Sequence, residues 1–156
     1  MALFRKKAVP TTGTVSSAGE ARWAIGKGEV GGKPLIVRWD TAAKQGSPDR
    51  ARPVKVTIGI QCANPRDDGL PSPEDLALFE QMEDALFSEL PPIADSEPVL
   101  ILTTNAMREW ILYASSREWL KSWAPPFCER FMADRPGKVE AVDEPGWETF
   151  TEWTAV

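Results

Sequence analysis

The clearest pattern in the chain is at Val54, Val56, Ile58 and Ile60, which alternate with Lys55, Thr57, Gly59 and Gln61. A period of two predicts a strand with one face buried. After a polar loop over 64–71, Ser72-Pro73-Glu74-Asp75 supplies a capping hydroxyl, a proline suited to the first helical position and acids in the first turn. A helix is therefore predicted over 73–90. Leu76, Phe79, Met82, Leu86 and Leu90 recur every three or four positions as its core stripe, and Pro91-Pro92 ends it. Upstream, 23–25 and 35–39 read as two strands of a hairpin joined by a glycine-rich loop over 26–32. Downstream, 99–103 and 108–114 read as strands paired across the tight turn Thr104-Asn105-Ala106. Ser115 or Ser116 is expected to cap a second helix carrying Trp119, Trp123, Phe127 and Phe131, with Pro125-Pro126 breaking it near Ala124. A last strand over 138–142 follows, and Trp147, Phe150 and Trp153 fit one face of a short terminal helix.

From the strand at Val54 the order is strand, helix, strand, strand, helix, strand. That order implies an α+β, ferredoxin-like antiparallel sheet with two helices on one face, preceded by a β-hairpin and followed by a short terminal helix. Residues 1–19 are small and polar around Arg5, Lys6 and Lys7 and read as a flexible N-terminal arm, leaving 20–156 as a single domain. A chain of 156 residues accommodates one such core.

Composition narrows the chemistry. There is no histidine, so Ser-His-Asp triads, Cys-His dyads and most zinc sites are excluded. No apolar run suits a signal peptide or a membrane span, which with Cys62 and Cys128 as the two cysteines indicates a cytoplasmic protein without a structural disulfide. The net charge is −5, which argues against nucleic acid as partner. Its distribution is uneven: residues 1–66 hold 12 basic and 4 acidic groups, whereas 67–107 hold 10 acidic groups and no Lys or Arg.

Four stretches taken together resemble a known family. They are Trp23 with Gly32-Lys33-Pro34-Leu35-Ile36-Val37; Asp67-Asp68-Gly69-Leu70-Pro71 leading into the acidic helix with Leu78, Glu80, Glu83 and Leu86; Thr104 to Tyr113; and Asp143-Glu144-Pro145-Gly146-Trp147. In these the chain resembles the bacterial domain-of-unknown-function family six-nine-five. The resemblance implies the fold and a bacterial origin and carries over no catalytic residue. Ala106 stands where the family's turn usually has glycine, and Pro125-Pro126 interrupts a helix that the family would make continuous.

Candidate chemistry is sparse. Gly26-x-Gly28-x-x-Gly31 matches a dinucleotide fingerprint in form, but a strand follows it where a helix N-terminus is required. Asp67, Asp68, Glu74 and Asp75 are candidate cation ligands, although turn and helix-start roles explain them too. Arg108 is a candidate clamp for an anion or carboxylate, with Glu109 and Tyr113 expected on the opposite strand face. Cys62 or Ser115 as nucleophile lacks a base. No catalytic residue, metal or cofactor is assigned.

The expectation is a non-catalytic protein-binding module. Its partner-binding residues are Glu80, Glu83, Asp84 and Glu89 on the acidic helix, with Trp119 and Trp123 as aromatic neighbours if exposed, and its partner is a basic protein such as a toxin or nuclease. A toxin-neutralising immunity protein is the sharpest form. The alternatives are a regulatory module for a ribonuclease or other processing enzyme, and an enzyme acting through the carboxylates near Asp67 and Glu74. A membrane partner is not expected, while an uncovered sheet edge would admit a homodimer.

Overall fold

A computed structural model describes residues 23–155; the arm expected over 1–19 lies outside them. Six strands form one sheet in the order β1-β2-β4-β5-β3-β6, with every neighbouring pair antiparallel. They are β1 (Trp23–Val30), β2 (Lys33–Asp40), β3 (Val54–Gln61), β4 (Ser96–Thr104), β5 (Met107–Ala114) and β6 (Gly137–Asp143). Four helices join them: α1 (Thr41–Gly46), α2 (Pro73–Glu89), α3 (Leu120–Phe131) and α4 (Glu148–Thr154).

Both hairpins turn on two residues with positive φ, the backbone whose twist suits a two-residue connection. In the first these are Gly31 and Gly32, at 57° and 81°. The glycine-rich stretch is therefore strand rather than loop as far as Val30, because Gly26 and Gly28 stay in register with Val37 and Leu35. In the second they are Asn105 and Ala106, at 49° and 61°. Ala106 tolerates this left-handed backbone with both its polar groups held, its N–H on Gly69 O and its carbonyl by Cys62 N–H.

α2 starts as expected, with Ser72 Oγ accepting from the backbone N–H of Asp75 at 3.2 Å. The stripe differs in one place. Leu76 is 38% exposed, whereas Asp75 is 2% exposed and takes the inward slot of the first turn. Its carboxylate accepts from the backbone N–H groups of Ala63 and Asn64 and pairs with Arg135.

α3 departs further from expectation. It begins at Leu120 without a side-chain cap and runs unbroken through Pro125 and Pro126. These prolines remove the bonds to the carbonyls of Lys121 and Ser122. Both residues are exposed, so water can serve those carbonyls, while Trp123, Phe127 and Phe131 hold the other side of the helix in the core.

Side chains bury in two clusters. The first joins Val54, Val56, Ile58 and Ile60 of β3 and Trp110, Leu112 and Ala114 of β5 to Phe79, Met82 and Leu86 of α2 and the aromatic residues of α3. The second joins Leu35, Val37 and Trp39 of β2 and Ile111 and Tyr113 of β5 to Trp147, Phe150 and Trp153 around α4. Consecutive residues of β5 thus alternate between the clusters, as a pleated strand requires. Among the described residues no helix is long and apolar enough to cross a membrane.

Candidate functional site

The outward strip of α2 separates its acids into two kinds. Glu83 and Glu89 are neutralised within the fold. Glu83 forms an ion pair with Arg38 of β2 at 3.1 Å and accepts from the indole N–H of Trp110 at 3.0 Å. Glu89 pairs with Arg130 of α3 at 3.0 Å. Glu80 and Asp84 are exposed, stand one turn apart and form no ion pair among the described residues. Leu76 lies one turn before Glu80, so the strip begins with an apolar side chain and continues into two carboxylates outside any ion pair of the described residues.

The aromatic candidates are less available. Trp123 is buried and stacks on Phe127 with ring centres 4.5 Å apart. Trp119 is half-buried against Trp123, and its indole N–H is committed to Ser116 O at 2.7 Å. Trp39, Trp110, Trp147 and Trp153 are buried as well.

Beyond the C-terminal half of α2 lies a cleft of about 360 Å³ whose lining includes Trp23, Phe87, Leu90, Pro98 and Arg52. The rings of Trp23 and Phe87 stack 6.0 Å apart. Arg52 is ringed by Asp49, Asp95 and Glu97, and Asp40 accepts from the backbone N–H groups of Ala42 and Ala43 as the cap of α1. These polar groups are engaged in holding loops together.

The cation-ligand candidates are not brought together. Asp75 turns inward; burial alone would raise its pKa, but the N–H groups of Ala63 and Asn64, Ser72 and Arg135 outweigh burial and hold it below the ordinary carboxylate value. Asp68 pairs with Arg66, and Glu74 accepts from Asn64. Among the described residues no three His, Cys, Asp or Glu side chains are placed to hold a metal ion. Cys62 is half-buried and its thiol is pushed up to about 11, by burial first and by the Asp75 carboxylate second, which keeps it protonated near neutrality.

β5 sorts Arg108, Glu109 and Tyr113 onto two sides, and all three are buried. Glu109 lies 3.6 Å from Lys138. The Tyr113 hydroxyl donates to Glu144 and accepts from the N–H of Phe150. Arg108 donates from Nε to Thr103 Oγ1 at 2.8 Å, with its guanidinium 5.1 Å from the Phe79 ring centre and 6.0 Å from that of Trp110.

Sequence reasoning missed the ties that select among the acids. Arg38 and Glu83 are 45 positions apart, and Arg130 and Glu89 are 41 apart. No local spacing announces such pairs. Compared with known proteins, the chain matches the family model described as a family of unknown function, DUF695, over residues 21–154. No curated protein and no solved structure matches it.

Proposed function

The chain belongs to DUF695, a family of unknown function, and we propose that it is a non-catalytic protein-binding module that engages a basic protein partner through the exposed strip of α2. The reading includes a ferredoxin-like arrangement of β3, α2, β4, β5, α3 and β6, supported by the run β4-β5-β3-β6 within the sheet and by the shared core cluster of α2 and α3. One observation carries it: among the described residues, arginines pair with Glu83 and Glu89 but form no ion pair with Glu80 and Asp84, which are exposed. Like charges at i and i+4 disfavour a helix by a few tenths of a kcal/mol. Such a pair attracts a cationic surface and speeds its encounter. A toxin or nuclease with a basic active face is the partner chemistry that fits, and Leu76 offers it an adjoining apolar contact.

The test is capture of a basic protein from cells of the native host, followed by titration of that purified protein against wild type and a Glu80→Lys, Asp84→Lys double variant. Binding that weakens as salt rises, and by at least about tenfold in the variant, supports the reading; a tenfold loss corresponds to about 1.4 kcal/mol. Equal binding by both forms, or no basic protein captured, overturns it.

A further inference from the structure

We propose that Arg108 anchors a carboxylate-binding site in the corner between α2 and the β1-β2 hairpin. The inference does not depend on the α2 strip binding a partner. Pairing across four strands places Lys27, Ile36, Thr103 and Arg108 side by side in one row of the sheet. Arg108 starts at the covered end of that row, against Phe79 of α2. Its Nε bonds to Thr103 Oγ1 of β4, and Arg38 of β2 is among the charges that act on it. Ile36, next in the row, is half-buried, and Lys27 at the far end is exposed. The row therefore runs from a buried cation, over an apolar floor, to open solvent.

The state of Arg108 is what requires explanation. Only 8% of the residue is exposed. Beyond Nε, its two terminal nitrogens make no hydrogen bond or ion pair with any described residue. They are not sealed in either, because among the described residues the fully buried side-chain nitrogen without a partner is Arg135 Nε. A buried, unmatched charge is costly, and here burial pulls the pKa of the guanidinium down. Glu83 is the carboxylate that acts on it most strongly, yet Glu83 is already held by Arg38 and the Trp110 indole.

With Nε occupied, Arg108 presents the planar pair of terminal nitrogens that matches the two oxygens of a carboxylate. The charged groups facing it select the ligand further. Arg38 adds one positive charge, while Glu80 and Glu83 add two negative ones. With Arg108 itself the corner is close to neutral, so a singly charged carboxylate fits and a phosphate dianion is disfavoured. An apolar body attached to that carboxylate would lie over Ile36.

The probe is N-acetyl-leucine, titrated against 15N-labelled full chain, with N-acetyl-leucinamide and inorganic phosphate at matched ionic strength as controls. The expected result is a saturable movement of the Arg108 Nε–H and Trp110 Nε1–H resonances with the acid. The amide should give none, and phosphate should bind at least tenfold more weakly. Arg108→Met, an apolar side chain of similar reach, should lose the response. If Arg108→Met does not fold, Arg108→Lys carries the test: it keeps the charge, loses the planar fork and should bind at least tenfold more weakly. A peptide with a free C-terminal leucine, compared with N-acetyl-leucine, distinguishes a polypeptide terminus from a small acid as the source of the carboxylate. The proposal is overturned if the acid gives no saturable response, if amide or phosphate matches it, or if the folded variant responds as wild type does.

Discussion

Around α4, the large buried side chains bring their polar ends to partners within the fold. Trp147 stacks on Tyr113 with ring centres 4.1 Å apart, and its indole N–H ends on Arg52 O at 2.9 Å. The Tyr113 hydroxyl lies between Glu144 and the N–H of Phe150, and Glu144 is itself held by Lys55 and Thr149. Around Phe79 and Trp110 the pattern is different. Glu83 is satisfied, but the two terminal nitrogens of Arg108 have no hydrogen-bond or ion-pair partner among the described residues, and on the helix above it Glu80 and Asp84 form no ion pair with any of them. Closed polar networks mark the part of the molecule that holds itself together. Unclosed ones mark the part with bonds left to make.

The comparison breaks most visibly where the closed region is opened. Trp147 is 1% exposed and occupies a left-handed backbone position at φ 52° as the cap of α4. Trp147→Ala removes a large core side chain and its stack on Tyr113, so a loss of about 3–5 kcal/mol is expected in urea unfolding. That is a large share of the ~5–15 kcal/mol by which such domains are stable. A loss below about 1 kcal/mol would show that the α4 region is an appendage to the sheet.

Asp75 gives the next effect, because it is a buried charge whose two oxygens are both held although it sits in the cluster of α2. Asp75→Asn leaves Arg135 without its buried partner and should cost about 3 kcal/mol, read by the same unfolding measurement. The pH dependence has a fixed sign. The folded pKa of Asp75 lies below its unfolded value, so its contribution is present above about pH 4 and declines as pH falls through the unfolded and then the folded value. Wild type should therefore lose stability below about pH 4 more steeply than Asp75→Asn does. Parallel acid curves for the two proteins would mean that other carboxylates dominate.

Legibility in the sequence follows the same division. β3 was readable from alternation alone and α2 from Ser72-Pro73, because each is specified by neighbours within a few positions. α1 was missed, since six residues show no helical period and the capping Asp40 reads equally well as the end of a strand. The prolines of α3 suggested a break because local rules price the lost bonds without knowing that Lys121 and Ser122 face water. Leu76 counted as core because spacing assigned it to the stripe, whereas the loop at Ala63 and Asn64 draws Asp75 inward instead. For the candidate site, sequence supplied the acidic helix and Arg108. It could not show which acids form ion pairs or that the terminal nitrogens of Arg108 have no partner among the described residues, since both depend on residues brought together only by the sheet.

The smallest expected effect bears most directly on the α2 strip. Replacing Glu80 or Asp84 with Gln removes one member of a like-charge pair and disturbs no hydrogen bond made by either side chain among the described residues. Asp84→Gln should therefore raise stability by about 0.2–0.5 kcal/mol at low ionic strength, a gain that shrinks in salt because the pair is exposed, and Glu80→Gln should gain less, since the Glu80 carboxylate also acts favourably on the Arg108 guanidinium. Glu83→Gln is the matched comparison on the same helix. It removes the charge that holds Arg38 and should lower stability by about 1–3 kcal/mol. Opposite signs for these substitutions, in unfolding curves taken under identical conditions, would show that the arginines of the fold leave two α2 carboxylates unused. If Glu80→Gln and Asp84→Gln also destabilise, the two acids belong to the folding of the domain, and the case for their attracting a partner loses its physical basis.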